Sequence, residues 1–383
     1  MEIALVRGPY LRPNGILPWV ALDARYPDMN VTAFESDPPR FDTSSLPIPV
    51  EQLSWLDGKI DAFGYDHFID RGLAHLNLPH SILLGMSKLA NRYDVIHTSE
   101  NFTVFSAQAA VAAKGTDTEF VFSAGENIPF FPGNSFTWQI KKLVNREASG
   151  MTTTTQLGKR ALIHEGVAPE KVSVLPNALE LEKFDTGPKT TASLDLPTEL
   201  EETFNILFVH KLCEQKGIRY LIDAFDELHE NHDDMRLLLV GSNEFDEDFY
   251  QTRINQHKAI YHIEYIENER IDKLYNLSDI FTLPSITVRN NQEQFGMALL
   301  EAMACGVPSI ITNVGGLPFV AAAGETSLVV NERSSEEIAA AIRQLYANPE
   351  LRTRLGERSY SYVRENYHKN VLADKLYAFY ENL

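Results

Sequence analysis

Short apolar runs, many of them β-branched, recur along the chain with enough residues between them for a helix or a long loop. The first series is Ile3 to Val6, Val31 to Phe34, Val95 to His97, Phe120 to Phe122, Met151 to Thr154 and Val172 to Leu175. The second is Ile206 to Val209, Leu237 to Val240, Ile263 to Ile266, Ile280 to Leu283, Pro308 to Ile311 and Leu328 to Val330. Runs that are apolar throughout, rather than alternating, belong to strands covered on both faces, so each series predicts an α/β domain with a parallel sheet. Between them, residues 185–203 replace the pattern with Gly187, Pro188, Pro197, threonines and glutamates and read as a linker. This places a first domain at 1–184 and a second at 204–364. From Ser335 the period becomes helical, with Glu336 and Glu337 in a first turn, Ile338, Ala341, Ile342 and Leu345 on one face and a break at Pro349. A terminal helix over 365–383 is expected to cross back to the first domain.

Composition narrows the class. A chain of 383 residues is long enough for two domains sharing a cleft, and 44% hydrophobic with 23% charged residues is that of a soluble globular protein. Its formal net charge of −19 repels nucleic-acid phosphates. High salt and ordinary acidity explain that charge equally. Cys213 and Cys305 are far apart and each sits in an apolar stretch, which argues against a disulfide framework and fits a reducing cytoplasm. Met1 to Val6 lacks the basic start of a signal peptide, and no apolar run approaches the roughly 18 residues of a membrane span.

The chemistry concentrates in Glu293-Gln-Phe-Gly-Met-Ala-Leu-Leu-Glu301-Ala-Met-Ala-Cys-Gly306-Val-Pro308. Ala298 to Ala304 are helix formers, so a helix opens near Gly296, and its free N–H groups and dipole suit a phosphate. Glu293 precedes that point. Glu301 stands in an otherwise apolar helix, where a charge is seldom buried without a partner. A second segment, Ile206-Leu-Phe-Val-His210-Lys211-Leu-Cys-Glu-Gln-Lys216-Gly217, carries two lysines beyond the carboxyl end of a strand, where open α/β sheets bind ligands. Alone the lysines read as solvated; beside an anion-binding helix they suit a diphosphate.

These segments, with Gly315-Gly316, Val174-x-Pro176-Asn177, Leu239-Val240-Gly241 and Leu274-Tyr275-x-x-Ser278-Asp279-Ile280-Phe281-x-x-Pro284-Ser285, resemble the family-four retaining glycosyltransferases, glycosyltransferase group 1 type, with their E-x7-E motif. The resemblance covers the second domain and is weak in the first. It implies a GT-B fold, two Rossmann-like domains whose parallel sheets face a central cleft, and transfer of a hexose from a nucleotide diphosphate sugar to a glycan, lipid-linked or other small acceptor, as in glycan biosynthesis. Within it Glu301 would hold the ribose hydroxyls and Glu293 would face the hexose. Lys211 and Lys216 would neutralise the diphosphate, backbone around Phe295, Gly296, Met297 and Ala298 would take its oxygens, and the base would lie near Tyr265 and Ile266 at the end of the Ile263 strand. No metal or other cofactor is then required.

The chain departs from the family at several points. His210-Lys211 stands for Gly-Arg, which replaces a bidentate grip with a point charge. Ala178 and Phe319 replace a glycine and an acid. After the first strand only Gly15 is placed for close approach, and where relatives offer a histidine to the sugar this chain has Gly125-Glu126-Asn127, so Glu126 or Asn127 is the polar group expected there. His97 either lines the cleft or is satisfied by a neighbouring backbone group. Trp138, Lys141, Lys142 and Arg146 either touch an anionic membrane peripherally or belong to a packed basic helix. A GT-B epimerase or phosphorylase and a catalytically silent binding protein are the alternatives, and the oligomeric state is open.

Overall fold

The computed structural model describes residues 1–55, 82–131, 133–244, 248–289 and 291–383. It divides into two compact units, Met1–Leu179 with Lys369–Leu383, and Glu180–His368. In the first, β1 (Glu2–Gly8), β2 (Asn30–Asp37), β3 (Val50–Trp55), β4 (Leu83–Leu84), β5 (Val95–Ser99), β6 (Glu119–Ala124), β7 (Gly150–Thr153) and β8 (Val172–Val174) form one sheet in the order β4-β3-β2-β1-β5-β6-β7-β8. All of its pairings are parallel except β3 with β4. Successive side chains of a strand point to opposite faces, and β1 shows the result: Ile3 and Leu5 enter one apolar cluster while Ala4 and Val6 enter another. The accompanying helices are α1 (Leu17–Arg25), α2 (Val104–Ala113), α3 (Ser135–Glu147) and α4 (Gln156–His164).

In the second unit β9 (Phe204–Val209), β10 (Met235–Val240), β11 (Ile260–Ile263), β12 (Ile280–Leu283), β13 (Ser309–Thr312) and β14 (Ser327–Val330) form a parallel sheet in the order β11-β10-β9-β12-β13-β14. Its helices are α5 (Ile218–His229), α6 (Asp248–Gln256), α7 (Ile271–Leu277), α8 (Met297–Ala304), α9 (Leu317–Val320), α10 (Ser335–Ala347) and α11 (Pro349–Tyr367). Ile206, Leu207, Phe208, Leu237, Leu238 and Leu239 are all fully buried, which is why these strands read as continuous apolar runs. α5 buries Ile218, Leu221, Ile222, Phe225 and Leu228 along one stripe.

The chain then returns to the first unit as α12 (Lys369–Glu381). Leu372, Ala373, Leu376 and Tyr380 join the cluster of Ile3, Leu5, Leu22 and Val31. Trp19 Nε1 donates to the Tyr380 hydroxyl at 2.9 Å, and that hydroxyl lies 2.6 Å from His97 Nδ1.

Three sequence readings change. The strand expected at Ile263 to Ile266 ends at Ile263, because Glu264 and Tyr265 face solvent. β3 escaped notice because only Leu53 of its six residues is buried. Residues 185–203 pack as part of the second unit, with Leu194 and Leu200 buried and Lys189 Nζ 2.6 Å from Asp279. Pro349 opens α11 as its first residue, a position where its missing N–H costs nothing, and Asn348 caps the helix.

Candidate active site

In each sheet the strand order reverses beside the first strand, between β1 and β5 and between β9 and β12. Loops leaving such a pair diverge, and open α/β sheets bind ligands at this point. In the second unit the two loops are pinned to each other. Gly217 (φ 66°) lies so close to the Pro284 carbonyl that no Cβ fits, and Ile286 N–H donates to the Gln215 carbonyl at 2.8 Å. Gly315 (φ 56°) sits in the same way against the Glu293 carbonyl, which accepts Gly316 N–H at 2.9 Å.

These approaches fix Lys216 against Glu293. The ammonium donates to Glu293 Oε2 at 2.6 Å, and Ser285 Oγ donates to the same oxygen at 3.0 Å. Lys216 is 7% exposed and Glu293 8%, so both charges have left water for each other. An ammonium has three hydrogens, so the Glu293 bond leaves further donors on Lys216. Beside them Lys211 N–H donates to His210 Nδ1 at 2.8 Å, and burial together with the Lys216 charge lowers the imidazole pKa to about 4. His210 is therefore neutral with its proton on Nε2. Lys211 itself is 58% exposed and paired with Glu244 at 2.7 Å.

Eight residues after Glu293, Glu301 lies inside α8. Gly296 caps that helix in a left-handed conformation (φ 90°) with no side-chain bond, so the N–H groups at Met297 and Ala298 are left for an incoming acceptor. Met297 is 37% exposed, whereas the Phe295 ring is buried edge-on to Tyr367, so only the backbone of Phe295 is available to a ligand. Burial raises the Glu301 carboxyl to about 7 against the opposing pull of the Tyr275 hydroxyl, which donates to Oε2 at 2.7 Å. One oxygen of Glu301 is thus already engaged. Tyr265, 77% exposed, and Ile266 follow β11, the edge strand separated from β9 by β10.

In the first unit Gly15 ends a short turn, and a Cβ there would meet only Arg12 Cβ at 3.8 Å, so the chain itself makes no demand for glycine. The Glu126 carboxylate accepts the N–H of Ile128 at 2.8 Å. Asn127, offered by the sequence as an alternative to Glu126, is buried, and its Oδ1 accepts the Thr155 hydroxyl at 2.7 Å. His97 is satisfied by side chains, with Nδ1 facing Tyr380 and Nε2 2.7 Å from Ser123 Oγ. Sequence reasoning missed Glu100. It follows β5 at the switch point in a left-handed conformation (φ 62°), with Oε1 accepting Gly125 N–H at 3.0 Å. An acid directly after a buried β-branched run was the signal.

The membrane reading of α3 is corrected at Lys141. Its side chain is 2% exposed, 2.5 Å from Glu165 Oε1, and also donates to the Phe131 carbonyl at 2.7 Å, so it cannot reach a lipid surface. Lys142 and Arg146 are exposed, and Trp138 packs edge-on against Phe130. Among the described residues no helix is long and apolar enough to cross a membrane, and no group of three His, Cys, Asp or Glu is placed to hold a metal ion.

Comparison with known proteins bears on the family and the fold. The model for glycosyl transferases group 1 matches residues 197–362, and that for the glycosyl transferase 4-like domain matches residues 19–178. An uncharacterized glycosyltransferase of Methanocaldococcus jannaschii is 32% identical over 155 residues, 39% of this chain and 38% of that protein. A D-inositol 3-phosphate glycosyltransferase of Pseudarthrobacter chlorophenolicus is 24% identical over 221 residues, 56% of this chain and 51% of the relative. The chain thus spans about half or less of the length of these curated relatives. Among solved structures, Anabaena HepE in complex with UDP superposes with a TM-score of 0.78 at 18% identity, covering all of both chains. Sucrose-phosphate synthase from Thermosynechococcus elongatus gives 0.69 at 18% identity, covering 100% of this chain and 98% of that one. At such identity the likeness establishes the fold, which is GT-B. With one model matching each unit, the chain belongs to the group 1 glycosyltransferases.

Proposed function

We propose that the chain transfers a hexose from a nucleotide diphosphate sugar to an acceptor hydroxyl with retention of anomeric configuration, the second unit holding the donor and the first the acceptor. The observation that carries this is the buried Lys216–Glu293–Ser285 cluster at the switch point of the second sheet. The uncapped start of α8 follows it in sequence. In this reading the N–H groups of Met297 and Ala298 take diphosphate oxygens, and Lys216, with Lys211 at the rim, faces the same group. Glu301 accepts a ribose hydroxyl on the oxygen that Tyr275 leaves free. Glu293, held by Lys216, is oriented toward the hexose.

The bond from the anomeric carbon to the diphosphate oxygen breaks, its electron pair stays with the phosphate, the acceptor oxygen bonds the carbon, and the acceptor proton leaves with the diphosphate. Negative charge therefore grows on the leaving group, where preorganised donors are worth roughly 2 to 4 kcal/mol each. The lysines and the helix N–H groups supply the countercharge in this scheme, so it calls for no metal. The nucleotide part of the reading is supported by HepE, whose structures contain UDP and UDP-glucose, and the transferase part by the named activity of the inositol phosphate relatives.

A thermal-shift panel of UDP, GDP and ADP with their sugar conjugates tests it, because a ligand that binds only the folded state raises the melting temperature. One nucleotide series should stabilise the protein, and its sugar should be slowly hydrolysed. An isomerised sugar would favour an epimerase, and no shift with any nucleotide would remove the reading.

A further inference from the structure

At the edge of the first sheet, away from its switch point, α4, β7, β8 and the end of α12 border a cavity of about 490 Å3. That is within the roughly 300 to 1,000 Å3 of small-molecule sites. A glycine lets α12 come this close. A Cβ at Gly150 of β7 would lie 2.8 Å from Leu383 Cδ2 and 3.0 Å from the Phe379 ring, so any other residue would push those side chains away. Leu175 and Phe379 give the cavity an apolar wall, and Gln156, Ser173 and Asn382 add neutral polar groups.

Three lysines line it: Lys159 of α4, Lys171 immediately before β8, and Lys375 of α12. Among the described lining residues Glu170 is the one acidic side chain, in a chain whose acids outnumber Lys and Arg 53 to 34. The cationic bias is therefore local. Lys159 Nζ gives one hydrogen to the Val172 carbonyl at 2.6 Å, and Lys171 Nζ gives one to the Ala148 carbonyl at 3.0 Å. An ammonium carries three, so both keep donors for a ligand. The two carbonyls also hold these side chains in place in advance, which lowers the ordering cost of binding. Lys375 has no hydrogen bond or ion pair among the described residues, and partial burial lowers its pKa. An anion beside it would stabilise the charge that burial disfavours.

We infer that this cavity binds a phosphorylated small molecule, its phosphoryl group held by Lys159, Lys171 and Lys375. A phosphoryl group suits three ammonium groups better than a carboxylate does, because near neutrality it brings close to two negative charges and three acceptor oxygens on one centre. The site lies wholly within the first unit, and the donor residues proposed above lie in the second. It is thus a second anion site, independent of the transferase reading. Its ligand would join α4 and β8 to α12, the segment that returns to this unit from residue 369.

The experiment is hydrogen exchange of the full chain, read by mass spectrometry, with pyrophosphate, glucose 6-phosphate and glucose as probes. At least one of the two phosphates should slow exchange of the amides in residues 369–383, and glucose should not. The phosphate concentration giving half of this protection should rise about tenfold in Lys375→Gln, the loss of one bond between charged groups. Charge reversal in Lys375→Glu should abolish the protection. Neither variant strands a partner, so the melting temperature without ligand should stay at the parent value. None of these readouts needs catalysis, and protection read at 369–383 is distinct from any at the donor lysines in 211–217. Three results overturn the inference: neither phosphate protects 369–383, glucose protects it as well as glucose 6-phosphate does, or the midpoint is unchanged in Lys375→Gln.

Discussion

The ammonium of Lys216 lies 2.6 Å from Oε2 of Glu293, two charges brought together across 77 positions of the chain. Removing one partner of a buried pair strands the other, at roughly 3 to 5 kcal/mol. Lys216→Ala should therefore lower the melting temperature as well as turnover, whereas the double variant Lys216→Met with Glu293→Gln should recover much of the stability and none of the activity. Thermal unfolding of the two variants and the parent beside their donor hydrolysis rates checks this. A single variant as stable as the parent would mean that the pair is not buried in solution.

Lys211 behaves differently because it is exposed. Its pair with Glu244 is open to water and salt, so Lys211→Ala should leave the melting temperature unchanged. Nucleotide affinity should drop severalfold at low ionic strength, with the difference fading as salt rises. Calorimetric titrations at two salt concentrations read the effect, and a loss indifferent to salt would argue for a direct bond.

For Glu301 the expected loss on substitution by Gln is about 1.5 to 3 kcal/mol of nucleotide affinity, one hydrogen bond to a charged acceptor. The same variant tests the pH linkage. Burial raises this carboxyl from 4.5 to about 7, so the folded state holds the proton more tightly than the unfolded one. Its stabilising contribution is complete below about 4.5 and is lost as pH rises to about 7. The melting temperature of Glu301→Gln relative to the parent should climb across that window and level off above it. A pH-independent difference would place Glu301 in water.

Lys141→Ala should destabilise the first unit by roughly 3 to 5 kcal/mol through the stranded Glu165, without altering sedimentation with anionic vesicles. If α3 touches a membrane, the loss of vesicle binding should follow Lys142→Ala and Arg146→Ala instead, since those side chains are exposed.

What the sequence revealed was mostly local. The start of α8 could be read because Gly296, the alanines after it and Gly306 encode a helix within one stretch, and the strands could be read because burial on both faces leaves no polar positions. The Lys216–Glu293 bond could not, since it depends on two loops diverging from neighbouring strands that are distant in sequence. Lys141 was misread for a related reason. Helical period places it near Val144 but cannot say whether Glu165 waits opposite. Glu100 was passed over because a single acid after a strand looks like any solvated residue until its second oxygen is found buried and unpaired.

The second unit is one unbroken stretch, Glu180–His368, whereas the first is made of two pieces separated by it. A ribosome delivers the segments in order, so the stretch 180–368 can fold as soon as it emerges. The earlier-made Met1–Leu179 must wait for residues 369–383 to supply Leu372, Leu376 and Tyr380 to its cluster. During that interval Ile3, Leu22 and Val31 lack a covering helix, and the half-built module is the species that chaperones and proteases meet.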